Sequence, residues 1–362
     1  MDMADKHDIK KILEEKAPLI DKAIEKYLPR KYDKEKLVFT FGRPRYEYSA
    51  EVATKTLADP IWDLLDRGGK RWRPTLFLLV IEALGGDQNK LFDFAIIPEV
   101  VHNGTLIIDD IEDSSEERRG KPCTYKVFGL DVAVNAGSAA YYLPLLSLIK
   151  RKNEFKAETI ARVYEIYVQE MINLSLGQAM DIAWHKGLCN ANNVTEKEYL
   201  QMTAYKTGTL ARMSAKIAAM LCDASDEQVE AIGKLVETIG IAFQIQDDIL
   251  NLVGGEFFFR KGGAGEDITE GKRTLMVIHS IKNASSGDAK RLIEILEMHT
   301  LDQKLRNEAI EIMKKYDSID YAKEFARKIL KEAWKEVDTT FPQSEAKEKI
   351  KAFADYLVER DV

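Results

Sequence analysis

Apolar residues recur at three- and four-residue spacing along nearly all of the 362-residue chain, while runs that alternate apolar with polar residues are almost absent. A period near 3.6 buries one stripe of a helix, and a strand would need a period of two. The spacing therefore predicts an all-α fold. Helical segments are expected over 8–27, 48–66, 72–85, 90–112, 131–150, 156–186, 196–222, 226–253, 272–283, 288–299, 302–315, 319–338 and 343–359. Thr195–Glu198 and Ser225–Gln228 read as capping boxes, and Gly85-Gly86-Asp87 and Gly187 as stops. Residues 28–47 are polar and contain proline, so they read as a connector. The expected organisation is an N-terminal helix with its connector (1–47) packing on a single all-helical domain (48–362). Segments 114–129 and 254–271 are loops rich in glycine and charge. No repeat of 20–50 residues is visible, which argues against a solenoid.

A hydrophobic share of 45% supplies a large core. The net charge of −7 argues against nucleic acid or an anionic membrane as partner. An anionic substrate would need local basic clusters. Cys123, Cys189 and Cys222 show neither metal-ligand spacing nor a disulfide framework, as in a reducing cytoplasm. The N-terminal residues carry no signal-type apolar run. Apolar runs such as Thr75–Ile81 and Tyr141–Ile149 fall well short of the roughly 20 residues that cross a bilayer. A soluble, cytoplasmic protein without a transmembrane segment is expected.

The chemistry concentrates in two similar segments, TLIIDDIED (Thr105–Asp113) and FQIQDDILN (Phe243–Asn251). On a helix Asp109 and Asp113 share a face, with Asp110 about 100° round; Asp247 and Asn251 are related in the same way, with Asp248 beside them. Like charges near a helix C-terminus repel one another and oppose the macrodipole. A cation would compensate, and Mg²⁺ prefers carboxylate and phosphate oxygens. The alternative is a pair of solvated helix ends, but the repeated pattern after apolar runs argues for a metal–diphosphate site.

Positive charge concentrates in GGKRWRP (Lys70, Arg71, Arg73) and in Arg118-Arg119-Gly120-Lys121-Pro122. Guanidinium groups bind phosphate bidentately and lysine binds it as a point charge. Lys206 and Lys272 each sit beside threonine and glycine; either is also compatible with an ordinary surface lysine. His102, Gln178, Asp181 and Gln244 fall on apolar helices. His102 lies two turns before Asp109 and could line the same cavity.

Taken together these motifs resemble the trans-prenyltransferases, the all-α synthases of farnesyl, geranylgeranyl and longer diphosphates. GGKRWRP is similar to their GGKRxRP element, Asp109–Asp113 to the first DDxxD motif, and Arg118–Pro122 to the RRGxP after it. GQAMD, KTG, FQIQDD and EGKRTL also match, in order, between about residues 60 and 280. The resemblance implies the isoprenoid synthase fold, with helices surrounding a deep central cavity, and usually a homodimer. It implies that Mg²⁺ at Asp109, Asp110, Asp113, Asp247 and Asp248 chelates an allylic diphosphate (dimethylallyl, geranyl or farnesyl), which ionises. Isopentenyl diphosphate, held by Lys70, Arg73, His102 and Arg119, then attacks the cation. Arg118, Lys206, Thr207, Gln244 and Lys272 match the allylic diphosphate side. Asn251 departs from the usual aspartate, Tyr125 stands where histidine is common, Lys261 is displaced from the usual lysine, and Glu359-Arg360-Asp361-Val362 offers no obvious basic terminus.

In such enzymes product length should follow cavity depth, and the family's floor for short products lies four and five residues before the first aspartate. Thr105 and Gly104 there are small, so the floor is expected further along, at Tyr141 or Tyr142, with a twenty-carbon product. Alternatives are a longer-chain or farnesyl synthase, a terpene cyclase, or a non-catalytic partner subunit. A cyclase would not need the second anion site, and a non-catalytic subunit would not need intact aspartates.

Overall fold

The computed structural model describes residues 8–254 and 265–359; Lys261 and Arg360-Asp361-Val362 lie outside them. Asp8 starts the first helix by accepting from Lys11 N at 3.0 Å, and α1 (Ile9–Tyr27) buries Leu13, Ile20, Ile24 and Tyr27 on one stripe. That stripe joins Ile61, Trp62, Ile96, Val100 and Ala136 in one hydrophobic cluster. The polar stretch expected to be a connector contains its own helix, α2 (Lys34–Phe41), capped by Asp33 accepting from Lys36 N at 2.8 Å. The capping aspartate was the only local signal, since α2 buries only Leu37 and has little apolar periodicity to show.

Helix α3 (Asp59–Asp66) leads through Gly68 and Gly69 into α4 (Trp72–Ala83), which is buried almost all round and is a core helix. Helix α5 (Ile96–Glu112) ends at its first acidic cluster and packs along α6 (Leu130–Tyr142). A side chain at Gly104 would reach Ala140 Cβ at 2.8 Å and the Gly137 carbonyl at 2.9 Å. Small residues therefore face one another where α5 and α6 meet. The loop after α5 carries a two-residue antiparallel ladder, Glu117–Arg118 with Lys121–Pro122.

Helix α7 (Ala157–His185) is 29 residues long and is followed by Gly187 at φ 66°. The expected Thr195–Glu198 capping box starts α8 (Glu196–Thr203). The single helix expected over 196–222 is interrupted by a π-helical turn, Ala204–Gly208, before α9 (Thr209–Leu221). Helix α10 (Asp226–Val253) carries the second acidic cluster, and Ser225 and Gln228 cap its start reciprocally. After the short helix Glu266–Thr269 come α11 (Leu275–Asn283), α12 (Ser286–Glu297), α13 (Gln303–Lys315), α14 (Ser318–Val337) and α15 (Glu345–Glu359).

The chain forms two compact units. Unit 1 comprises residues up to Tyr167, with Met213–Val229 and Pro342–Ile350; unit 2 comprises Val168–Arg212, Glu230–Phe341 and the residues from Lys351. Two helical stretches, Gln88–Glu112 and Leu130–Glu154, are long and apolar enough to match a membrane span, contrary to the shorter runs read from sequence. Both lie in unit 1, and their apolar windows are 67% and 50% buried within it, as core helices are.

Candidate active site

In unit 1, Gly69 at φ 137° lets two guanidiniums converge, since a Cβ there would lie 2.9 Å from Arg71 Nη1 and 3.2 Å from Arg119 Nη2. Arg71 is fully committed to the fold: it donates to Asp21 Oδ1 (2.8 Å), Glu99 Oε1 (3.0 Å) and the Leu65 carbonyl (2.8 Å). Arg73 differs. It is 6% exposed, its Nε has no hydrogen-bond partner, and its guanidinium lies 4.3 Å from the Trp72 ring. Burial lowers its pKa to about 10. Arg119, in the left-handed region at φ 54°, donates to the Leu64 and Gly68 carbonyls, and burial followed by neighbouring arginines lowers its pKa to about 10. His102 is held neutral by burial and by Arg73, Arg119, Arg118 and Arg71, which together drive its pKa well below the ordinary value. Positive groups so concentrated, with a neutral imidazole among them, make a site for a polyanion. Lys70 is exposed on the glycine turn.

Asp109, Asp110 and Asp113 close α5, Asp113 as its cap residue. Asp110 is buried; Arg118 Nε donates to its Oδ1 at 2.7 Å, while its Oδ2 has no hydrogen-bond partner. Burial raises the Asp110 pKa against the pull of Arg118. Arg118 also reaches Asp109 Oδ2 at 3.6 Å, so it bridges both aspartates. Arg67, which the sequence did not single out, donates to the Arg118 and Lys121 carbonyls at 3.1 and 3.4 Å and so anchors the arginine hairpin. Tyr125 ties the same loop, donating to the Ser115 carbonyl at 2.9 Å.

In unit 2, Asp248 accepts from Gln244 Nε2 at 2.8 Å and from the buried Tyr199 hydroxyl at 2.9 Å. Gln244 in turn accepts from Thr207 at 2.9 Å, which fixes its amide from both ends. Lys206 donates to Asp181 Oδ2 at 2.5 Å. Lys272 pairs with Asp267 at 3.4 Å and with Glu270. Asp181, Lys206, Thr207, Gln244, Asp248 and Lys272 line one cavity of about 60 Å³. Burial, then the charge of Asp267, holds the pKa of Asp248 above the usual carboxylate range; burial, then Glu270 and Glu266 against the pull of Lys272, does the same to Asp267. Asp247, one residue before, is half-buried. Asn251 serves the fold, because its Oδ1 accepts from Asp267 N at 3.2 Å and its carbonyl from Gly265 N at 2.8 Å.

Sequence reasoning missed Arg67, Glu99, Tyr199 and Asp267. Each acts through a partner tens of residues away, except Asp267, whose neighbour Lys272 was visible. Gln178 is half-buried on α7 and does not line the cavity. Among the described residues no trio of His, Cys, Asp or Glu is arranged to hold a metal unaided. A hard ion that takes one or two carboxylates and completes its shell with phosphate and water suits such a donor set. The unpartnered Asp110 Oδ2, and carboxyls whose pKa burial has raised, are oxygens that a divalent cation would stabilise.

The depressed pKa of His102 carries a stability consequence. Below about pH 6.5 the unfolded chain takes up a proton that folded His102 refuses, so acidification destabilises the fold, by up to about 1.4 kcal/mol per pH unit. Replacing His102 with Asn should remove that dependence, so urea unfolding at pH 7 and pH 5.5 should differ less for the variant by about 1 kcal/mol. Identical pH dependence of both proteins would show that His102 is not held neutral.

Residues 54–313 match the polyprenyl synthetase family. The chain is 34% identical over 315 residues to the short chain isoprenyl diphosphate synthase of Methanothermobacter thermautotrophicus, covering 87% of this chain and 94% of that one. It is 32% identical over 274 residues to the geranylgeranyl diphosphate synthase of Saccharolobus solfataricus, covering 76% and 81%. Its fold matches the crystal structure of geranylgeranyl pyrophosphate synthetase from Pyrococcus horikoshii with a TM-score of 0.81 at 32% identity, covering 97% and 98%. With these cationic and aspartate clusters and these likenesses in place, the chain belongs to the polyprenyl synthetase family and is a prenyltransferase with the all-α isoprenoid synthase fold.

Proposed function

We propose that the enzyme joins isopentenyl diphosphate to an allylic diphosphate in a Mg²⁺-dependent condensation whose main product is geranylgeranyl diphosphate. The observation that supports this is that cationic groups gather in two places, Arg73 and Arg119 around His102 in unit 1 and Lys206 and Lys272 beside Thr207 and Gln244 in unit 2, and we assign one diphosphate to each. Condensation uses two diphosphates, whereas cyclisation uses one.

With substrate phosphates, Asp109, Asp110 and Asp113 in unit 1 and Asp247 and Asp248 in unit 2 are each proposed to hold Mg²⁺, which would neutralise charge on a departing diphosphate. Lys206 and Lys272 place fixed positive charge where the allylic C–O bond breaks and its electron pair leaves with diphosphate. Thr207 and the doubly anchored Gln244 fix its orientation. Arg73, Arg119, His102 and Lys70 hold isopentenyl diphosphate, whose double bond attacks the allylic carbon. The new C–C bond forms, and the proton lost in restoring the double bond passes to the released diphosphate.

The names of the geranylgeranyl synthases among the relatives support the twenty-carbon product. The two tyrosines considered as the floor separate clearly. Tyr142 is 69% exposed, whereas Tyr141 is half-buried with its ring edge beside Gly104. With Mg²⁺, labelled isopentenyl diphosphate and each allylic starter, the wild type should make chiefly a twenty-carbon chain. Tyr141→Ala should lengthen it and Tyr142→Ala should not. Failure of the wild type to condense these substrates would overturn the assignment.

The protein is further proposed to act as a cytoplasmic homodimer. Its three cysteines are free, in keeping with a reducing compartment. Val168, Ile172 and Leu176 form an exposed stripe at four-residue spacing on α7, each more than half exposed. Sedimentation should give twice the 41.1 kDa chain mass, and Ile172→Lys should yield monomers. A monomeric wild type would exclude the dimer.

A further inference from the structure

The π-helical turn Ala204–Gly208 places Lys206 and Thr207 where an uninterrupted α-helix would not. A π turn inserts one residue into the helix, so side chains within it swing round and a carbonyl loses its usual partner. Such a turn persists only if its surroundings over-determine it. Glycines supply the space. A Cβ at Gly177 would lie 2.5 Å from the Tyr205 carbonyl carbon, and one at Gly240 would lie 2.8 Å from Gly208 Cα. The hydroxyl of Thr209, fully buried, donates to the Ala204 carbonyl at 3.3 Å, across the width of the turn.

Behind Thr209 stands an ion triad in which Arg212 and Glu170 are buried and Glu237 is half-buried. Arg212, 9% exposed, donates from Nε to both oxygens of Glu170 (2.8 and 3.0 Å) and from Nη2 to Glu170 Oε2 (2.5 Å). Its Nη1 pairs with Glu237. The same Nη2 reaches Thr209 Oγ1 at 3.5 Å, and the guanidinium lies 5.6 Å from the Tyr205 ring. One guanidinium fork thus touches both flanks of the turn and ties it to α7 through Glu170 and to α10 through Glu237. Burying the Glu170 carboxylate and the Arg212 cation costs desolvation and gives little net stability over an apolar replacement. Its geometric output is the aim of the turn.

We infer that Arg212 is a positioning residue: acting through Thr209, Glu170 and Glu237, it holds the π turn that aims Lys206 and Thr207 at the allylic diphosphate. The inference rests on the condensation proposed above, which assigns Lys206 and Thr207 to that substrate.

The test compares Arg212→Met, Arg212→Lys and Thr209→Val in the full chain. KM for each substrate, kcat, thermal midpoint and calorimetric binding of an unreactive allylic thiolodiphosphate with Mg²⁺ are measured. Arg212→Met should raise the allylic KM and weaken analogue binding by about tenfold or more, leaving the isopentenyl KM within about twofold. Arg212→Lys keeps the charge without the fork, so it should restore the thermal midpoint but not the allylic KM. Thr209→Val preserves shape and should raise the allylic KM by about threefold with little change in midpoint; it decides the matter if Arg212→Met does not fold. A lowered midpoint with both KM values unchanged would reduce Arg212 to a stabilising ion pair and overturn the inference. A wild type that neither condenses the substrates nor binds the analogue would instead overturn the proposed function.

Discussion

Replacing Asp109 with alanine is expected to lower kcat by about a thousandfold, the loss of roughly 4 kcal/mol of transition-state stabilisation. The metal-free fold should not suffer. Asp109 is half-buried at the C-terminal end of α5, where a negative charge opposes the helix dipole and repels Asp110 and Asp113. Its contact with Arg118 is the longer one, at 3.6 Å, so Asp110 keeps the arginine in place when Asp109 is gone. The midpoint of the variant should therefore equal or slightly exceed that of the wild type. Steady-state rates with saturating Mg²⁺ and thermal unfolding without it measure the two effects separately. If kcat stays within threefold, or if activity falls only because the protein unfolds, the first aspartate cluster is not the ionising site.

How much of the fold and the site is legible in the sequence depends on how far apart in the chain the interacting groups lie. The helices and their caps are readable because apolar period, Thr195–Glu198 and Ser225–Gln228 are local. Two things local reading passes over are α2, whose polar surface leaves little periodicity, and the π turn, which keeps a helical residue pattern while shifting its phase. Gly104 shows a subtler limit. Its smallness suggests room for a longer product, yet α6 fills that space with Ala140 and the Gly137 backbone. Asn251 reads as a weakened metal ligand, and its amide oxygen instead caps the backbone at Asp267. Among the cations of GGKRWRP the resemblance singles out Lys70 and Arg73, but charge and spacing alone give no ranking, because what separates Arg71 from Arg73 is the presence of Asp21 and Glu99 beside one of them.

That difference yields a test in which stability and function move in opposite directions. Arg73 is buried with an unpartnered Nε, and burial lowers its pKa to about 10. A shift of that size corresponds to roughly 3 kcal/mol of cost for keeping the charge inside. Because the folded-state pKa is depressed yet still far above neutrality, Arg73 stays protonated and the cost is present in full across pH 5–8. Methionine has similar length and no charge to desolvate, so Arg73→Met should raise the stability of the ligand-free enzyme by about 1–2 kcal/mol. It should also raise KM for isopentenyl diphosphate by about a hundredfold, since a charge-assisted contact to phosphate is removed. Arg71→Met should do the reverse to the fold. It would leave Glu99, whose side chain is only 4% exposed, without its ion-pair partner and with the Asn103 amide still donating to it, at a cost of about 3–5 kcal/mol. Chemical denaturation of both variants beside isopentenyl diphosphate titrations makes the comparison direct. Should Arg73→Met destabilise the protein while leaving that KM unchanged, Arg73 is a packing residue and the polyanion site in unit 1 must be built without it.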